Sequence, residues 1–234
     1  TGILLGISNM YRNEHLFTLY LGYETTDASA DSLDFDMNTV YGGAKFARVF
    51  CPAGNAAFYG KAEAMLAHTS TDVTRSIGGQ QFTGSADTYS YGGAVHIGMN
   101  YSLGKSSVFT PEIGVGYTGG RMGDFDINGN IAAVSYEHYD SHTSNIGYGD
   151  LSLKWFQKWG TIVNTLLGGG TRVNFNRDMD VSSNISGVQG SSTVKLPRSY
   201  QWVNASLILD VNSNLDLSFG YVGILDTNGS SHSM

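Results

Sequence analysis

The chain of 234 residues holds one cysteine, Cys51, and three prolines. A lone thiol excludes an intrachain disulfide and a cysteine-based zinc site. Charged residues make up only 14%, against roughly 25% in soluble domains, so the chain is short of solubilising side chains. Long apolar runs are missing too. A membrane-spanning helix needs roughly 18 consecutive apolar residues, and the strongest candidate, Thr161 to Phe175, is broken by Asn164, three glycines and Arg172. No basic stretch followed by an apolar one stands at Thr1, so the chain shows no signal peptide. Positive charge is scarce: 13 Lys and Arg and a formal charge of -7 leave no basic stripe to neutralise phosphates, which excludes nucleic acid as a partner.

What the chain has in abundance is glycine, 31 residues, tyrosine, 14 residues, and strict alternation. In "TYSYGGAVHIGMNYSLG", residues 88 to 104, Tyr89, Tyr91, Val95, Ile97, Met99, Tyr101 and Leu103 fall on one face, while Ser90, Ala94, His96, Gly98 and Asn100 fall on the other. Period 2 is the signature of a strand with unlike faces. The same alternation predicts ten strands: Gly2 to Asn9, His15 to Thr25, Asn38 to Phe50, Ala56 to Thr69, 88 to 104, Val108 to Gly120, Asn145 to Gln157, Thr161 to Phe175, Ser199 to Val211 and Asn214 to Ile224. Pro111 sits inside the sixth, where a residue without an N–H breaks a ladder.

The connections sort by length, short and long in strict turn. "YRNE", "CPAGN", "GKSS", "KWG" and "NS" are short; "TDASADSLDFD", "STDVTRSIGGQQFTGSAD", 121 to 144 and "NRDMDVSSNISGVQGSSTVKLP" are long and polar. Short turns at one end, long loops at the other, alternating strands and aromatic girdles are the marks of a transmembrane β-barrel. A soluble barrel with its apolar face inward would carry far more charge outside. The fold class expected is therefore all-β: an antiparallel up-and-down transmembrane β-barrel, spanning 1 to 234 as one domain. In lipid only a sheet without free edges satisfies its backbone groups. The expected lipid-facing residues are Tyr91, Val95, Ile97, Met99 and Tyr101. Lys45, Lys61, Glu63, Glu112, Lys154 and Arg172, with nearby Arg121, are expected to line the lumen and carry function, or else to pair and stabilise the wall. The loop order starts the first strand and ends the tenth on the extracellular side, so the chain is expected to be a fragment of a parent barrel of at least twelve strands.

Three segments carry a family likeness. "FTPEIGVGYTGGRMGDF" resembles a strand running into an acidic loop of the autotransporter β-domain of type V secretion, "LSLKWFQKWGTIVNTLLGGGTRVNF" its pair of strands around a short turn, and "NLDLSFGYVGILDTNGSSHSM" its penultimate strand and last extracellular loop, in pattern and order along the whole chain. That resemblance implies a twelve-stranded outer-membrane barrel of a Gram-negative bacterium, with long loops extracellular and the pore occupied by a helix or a passing polypeptide. Its implied partners are outer-membrane lipid, the protein's own passenger domain and the barrel-assembly machinery. It implies a translocator rather than an enzyme, without a cofactor. A stand-alone porin or adhesin-like barrel is the alternative.

Other motifs read first as ordinary barrel chemistry. His138, Asp140 and His142 at spacing two share a strand face and suit a divalent metal, but a polar loop explains them. His68, Asp72 and Asp87 near one rim are the residue types that activate water, and any such loop set contains them. "GGG" at 168 to 170 lacks the Lys and Ser/Thr of a phosphate loop and suits close packing against lumen contents.

Overall fold

The computed structural model describes residues 2–11, 14–30, 33–77, 80–129, 136–185, 187–212, 215–226 and 229–233. Its strands are β1 (Gly2–Tyr11), β2 (His15–Ala30), β3 (Leu33–Ala53), β4 (Ala56–Ile77), β5 (Gln80–Ser102), β6 (Ser107–Met122), β7 (Phe125–Gly129), β8 (Tyr136–Tyr139), β9 (His142–Lys158), β10 (Val163–Asn174), β11 (Asp178–Ile185), β12 (Val188–Lys195), β13 (Ser199–Asn212), β14 (Leu215–Asp226) and β15 (Gly229–Ser233). All pair antiparallel in one sheet, whose main path runs β1-β2-β3-β4-β5-β6-β9-β10-β13-β14-β15. Each of the ten predicted strands is present. β15 adds one more to the wall beyond the ten, pairing back on β14 from Val222↔Ser233 to Asp226↔Gly229.

The long connections are corrected by the structure: they are strands, not loops. β2 and β3 continue as a ladder to Ala30↔Leu33, β4 and β5 to Ile77↔Gln80, and β11 and β12 to Ile185↔Val188. Alternation such as Leu33, Phe35 and Met37 against Asp34 and Asp36 continues the period-2 pattern through these polar stretches. β7 pairs β5, and β8 pairs β7 and β11, so the wall itself rises past its apolar band.

Proline is accommodated as its chemistry requires. The ladder between β5 and β6 lapses between Gly98↔Glu112 and Tyr101↔Phe109, beside Pro111, while that between β6 and β9 runs on through Pro111↔Leu153. Thr110 donates to Asn100 Oδ1 at 2.9 Å across the lapse.

The sheet curls but stays open. β1 and β15 are its ends, and among the described residues no ladder joins β1 to β14 or β15. A space of about 1110 Å³ separates β1 from β10, β13 and β14, lined by Leu4 and Leu5 on one side and by Leu167, Leu207, Leu217, Phe219 and Tyr221 on the other. At the long-hairpin end Arg75 of β4 reaches Glu137 of β8 at 2.8 and 3.1 Å. Beside that pair the concave surface is filled by Val73, Phe82 and Ile127, packed against Leu33, Phe35, Phe125 and Tyr139. Here, unlike on the rest of the wall, apolar side chains pack together on the inner face, where their burial is favourable.

Elsewhere the sheet is inverted relative to a soluble protein. Val95, Ile97, Ile113, Val115 and Leu151 on the convex face are 54 to 67% exposed, while His96, Glu112, Ser152 and Asn164 on the concave face are 4 to 7% exposed. Aromatic side chains border the apolar band on β5, at Tyr91 above and Tyr101 below. Ten steps at about 3.3 Å on a strand tilted about 40° rise roughly 25 Å, the height of the apolar band of an outer-membrane barrel. The rims carry polar handles. Tyr91 and Tyr117 donate to Asn145, and Tyr23 donates to Asn38; at the short-turn end Trp155 and Trp159 donate to Ser107 and Thr165.

Candidate functional site

Residues opposed across a ladder share a face, and register sorts the predicted site residues. Lys45 opposes Glu63, Glu112 opposes Ser152, Lys154 opposes Thr110, and Arg172 opposes Asp150. With Lys61 these six lie on the concave face. Arg121 does not. Nine residues separate it from Glu112 on an uninterrupted β6–β9 ladder, and its partners are Tyr89 and Thr143 on the convex face. An odd number of steps along a strand reverses the side chain's direction. Tyr91, Val95, Ile97, Met99 and Tyr101 fall together on the convex face.

Two ionic clusters form on the concave side. In the first, the Glu112 carboxylate accepts from the Tyr59 hydroxyl at 2.6 Å and from the Lys61 and Lys154 ammonium groups, each at 3.1 Å. Lys61 also stands 3.9 Å from Glu63. Tyr59 lies on β4, two strands from Glu112, and reaches it by lying flat across β5 at Gly98, where any Cβ would overlap its ring. Glycine at 98 is thus what admits the contact. In the second cluster, Arg172 donates from Nε and Nη2 to the two oxygens of Asp150 at 2.8 and 2.9 Å, the bidentate geometry that guanidinium favours. Its guanidinium stacks 3.8 Å above the Tyr148 ring, with Tyr200 beyond. His96 Nε2 stands 3.9 Å from Asp150, and its ring lies over Gly114. Its Nδ1 is buried and finds no hydrogen-bond partner among the described residues.

A recess of about 210 Å³ opens between the clusters, lined by Tyr20, Lys45, Glu63, Tyr148 and Arg172. Lys45 Nζ stands 5.3 Å from the centre of the Tyr20 ring, a cation–π arrangement at the mouth of this recess. Two cations, one carboxylate and two phenols thus bound a small polar hollow suited to the side chains of a polypeptide.

Asp150, Tyr59 and Tyr148 were not among the predicted site residues, whereas His96 falls on the face of β5 opposite the tyrosines, as its parity requires. Parity was the available signal: Asp150 stands two and four residues before Ser152 and Lys154, on their face. Their cross-strand partners depend on register, which the alternation does not encode. The glycine run at 168 to 170 admits side chains of its own wall. Asn204 covers Gly168, and the Trp202 ring covers Gly170.

The rim residues separate likewise. His68 meets Asp87 at 3.3 Å on the convex face, with Asp72 farther up β4. His138 contacts Asp126 at 2.7 Å and Asp140 at 3.5 Å, while His142 opens β9 and opposes Met122. Among the described residues no group of three or more His, Cys, Asp or Glu is placed to hold a metal. The hydrogen bond that the His138 ring donates to Asp126, aided by the charges of Asp126, Asp140 and Asp124, raises the His138 pKa above its ordinary 6.5. A raised folded-state pKa means that the pairing stabilises the hairpin fully below pH 6.5, and the stabilisation is lost as pH rises through the folded value. An NMR titration of His138 is expected to give a midpoint above 6.5 that falls back in Asp126→Asn; an unchanged midpoint would refute the pairing.

Residues 1–222 match the family described as "Autotransporter beta-domain". The fold is similar to the translocator domain of the autotransporter NalP from Neisseria meningitidis, with a TM-score of 0.77 at 16% sequence identity, over 99% of this chain and 76% of that chain. No curated protein matches the sequence.

Proposed function

The chain belongs to the autotransporter β-domain family, and from that premise we propose how its concave face serves export. The family places the domain in the Gram-negative outer membrane as the translocator for a linked passenger. In this reading the convex band of β2 to β10 meets lipid and the long hairpins stand outside the cell. The concave clusters and the Lys45 recess then line the path of the exported segment.

The observation that carries the reading is the division of charge between the faces. From Tyr23 on β2 to Phe175 after β10, the convex band between the tyrosine and tryptophan rims holds no Asp, Glu, Lys or Arg except Arg48 at its lower edge. The concave face at the same height holds two ionic clusters. A charge at the bilayer midplane of such a barrel costs about 2–4 kcal/mol, so only the convex face is compatible with lipid. On the concave side most charges already have partners, which lets a polypeptide pass along the wall without being held tightly.

Lys45 forms no ion pair within 4.0 Å among the described residues, so its reversal leaves both clusters intact. In the full-length protein Lys45→Glu is expected to keep the heat-modifiable folded band on a gel while slowing surface appearance of the passenger severalfold. Export at the parent rate by a fully folded Lys45→Glu barrel would remove the recess from the path.

A further inference from the structure

The residue expected in the lumen but found on the convex face points to a ligand. Arg121 is exposed, lies on the convex face between Tyr89 and Thr143, and has no ion pair or hydrogen bond among the described residues. It stands just above the level at which Tyr91 and Tyr117 meet Asn145. Aromatic rims of this kind mark the depth of lipid headgroups, and an arginine there extends its guanidinium into that layer.

Below it, the same face of the wall is hollowed. A recess of about 570 Å³ lies between β5, β6, β9 and β10, bounded by Ile97, Val115, Leu151, Val173 and Phe175 with Gly149 in its floor. Its surface is almost wholly apolar, and it continues the band read above as lipid-facing. Six residues of β6 separate Arg121 from Val115. At about 3.3 Å per residue and a tilt of about 40°, that is a vertical drop of roughly 15 Å, half the thickness of a bilayer's hydrocarbon core. A lipid whose phosphate lies at Arg121 therefore reaches the recess with the end of its acyl chain.

On the reading of the convex wall as lipid-facing, we infer that Arg121 and this recess form a binding site for a phosphorylated lipid of the outer leaflet. The guanidinium takes the headgroup phosphate, and the hollow beside Gly149 takes an acyl chain. The chemistry is complementary at both ends: a planar cation with free N–H groups matches phosphate oxygens, and an apolar hollow in a lipid-facing wall is filled by hydrocarbon.

The test uses the full-length protein with Cys51→Ser and Ile113→Cys, labelled with bimane at position 113, on the rim of the recess. The barrel is refolded into vesicles of dibrominated phosphatidylcholine, and unbrominated lipid A is then mixed in. Quenching by bromine at the outset, with or without Arg121, tests whether the convex wall meets lipid. Relief of that quenching by lipid A tests the site. Half-relief is expected at a roughly tenfold lower mole fraction of lipid A than in Arg121→Gln, with Arg121→Lys between them and dephosphorylated lipid A behaving alike on both. Equal relief in Arg121→Gln and the parent, or no preference for the phosphorylated lipid, overturns the site while leaving the lipid-facing wall intact. Absence of quenching at the outset, as when a second copy of the chain covers the recess, overturns both.

Discussion

Replacing Glu112 with alanine is expected to lower the unfolding free energy of the inserted barrel by about 3–5 kcal/mol, the cost of removing one partner from a buried charge cluster. The Glu112 side chain is 4% exposed and, among the described residues, is the only acceptor shared by Tyr59, Lys61 and Lys154. Its loss leaves two ammonium groups near each other on a face that water reaches only through the lumen, and a phenol with no carboxylate to donate to. Glu112→Gln keeps the shape and an acceptor oxygen but not the charge, so its loss is expected to fall between alanine and the parent. Urea unfolding of the barrel in vesicles, followed by tryptophan fluorescence, measures both. A change below about 1 kcal/mol for alanine would mean that the lysines find other partners, and that the cluster contributes little to the wall.

One residue along the same strand, Ile113→Arg is expected to cost about 2–4 kcal/mol by the opposite mechanism, a charge placed on the lipid face near the bilayer midplane. Ile113 is 62% exposed and lies on the convex face, so in water the substitution would be close to neutral. The sign of the contrast is the diagnostic feature. Arginine at 113 disfavours the folded band in vesicles but leaves a detergent-solubilised barrel much less affected, whereas Glu112→Ala weakens the barrel in both. Equal tolerance of Ile113→Arg in vesicles and detergent would place position 113 away from lipid.

Much of this was readable from alternation. Faces repeat every two residues whatever the partner strand, so the ten wall strands followed from alternation along the chain, and the membership of Tyr91, Val95, Ile97, Met99 and Tyr101 in one face followed from β5 alone. Strict counting would also have placed Arg121 opposite Glu112. Ending the sixth strand at Gly120 and starting a loop at Arg121 interrupted the count, although β6 runs on to Met122. The hairpin extensions were obscured for a related reason: Asp, Ser and Thr dominate them, and polar composition outweighed the alternation of Leu33, Phe35 and Met37. What alternation does not carry is register. That Tyr59 meets Glu112 across Gly98, or that Asp150 is the residue opposite Arg172, depends on how far each hairpin slides against the next. The same period-2 sequence fits several registers of equal parity.

The account stands on one claim, that the exposed apolar face of the curled sheet meets lipid and the ionic face meets water. Nitroxide labels placed one at a time from Ser90 to Leu103 in the vesicle-inserted protein, read for collision with oxygen and with a water-soluble nickel chelate, test it most directly. The account predicts oxygen access peaking at Tyr91, Val95, Ile97, Met99 and Tyr101, nickel access peaking at Ala94, His96, Gly98 and Asn100, and a strict period of two between them. The two profiles exchanged, or oxygen access without alternation, would contradict it.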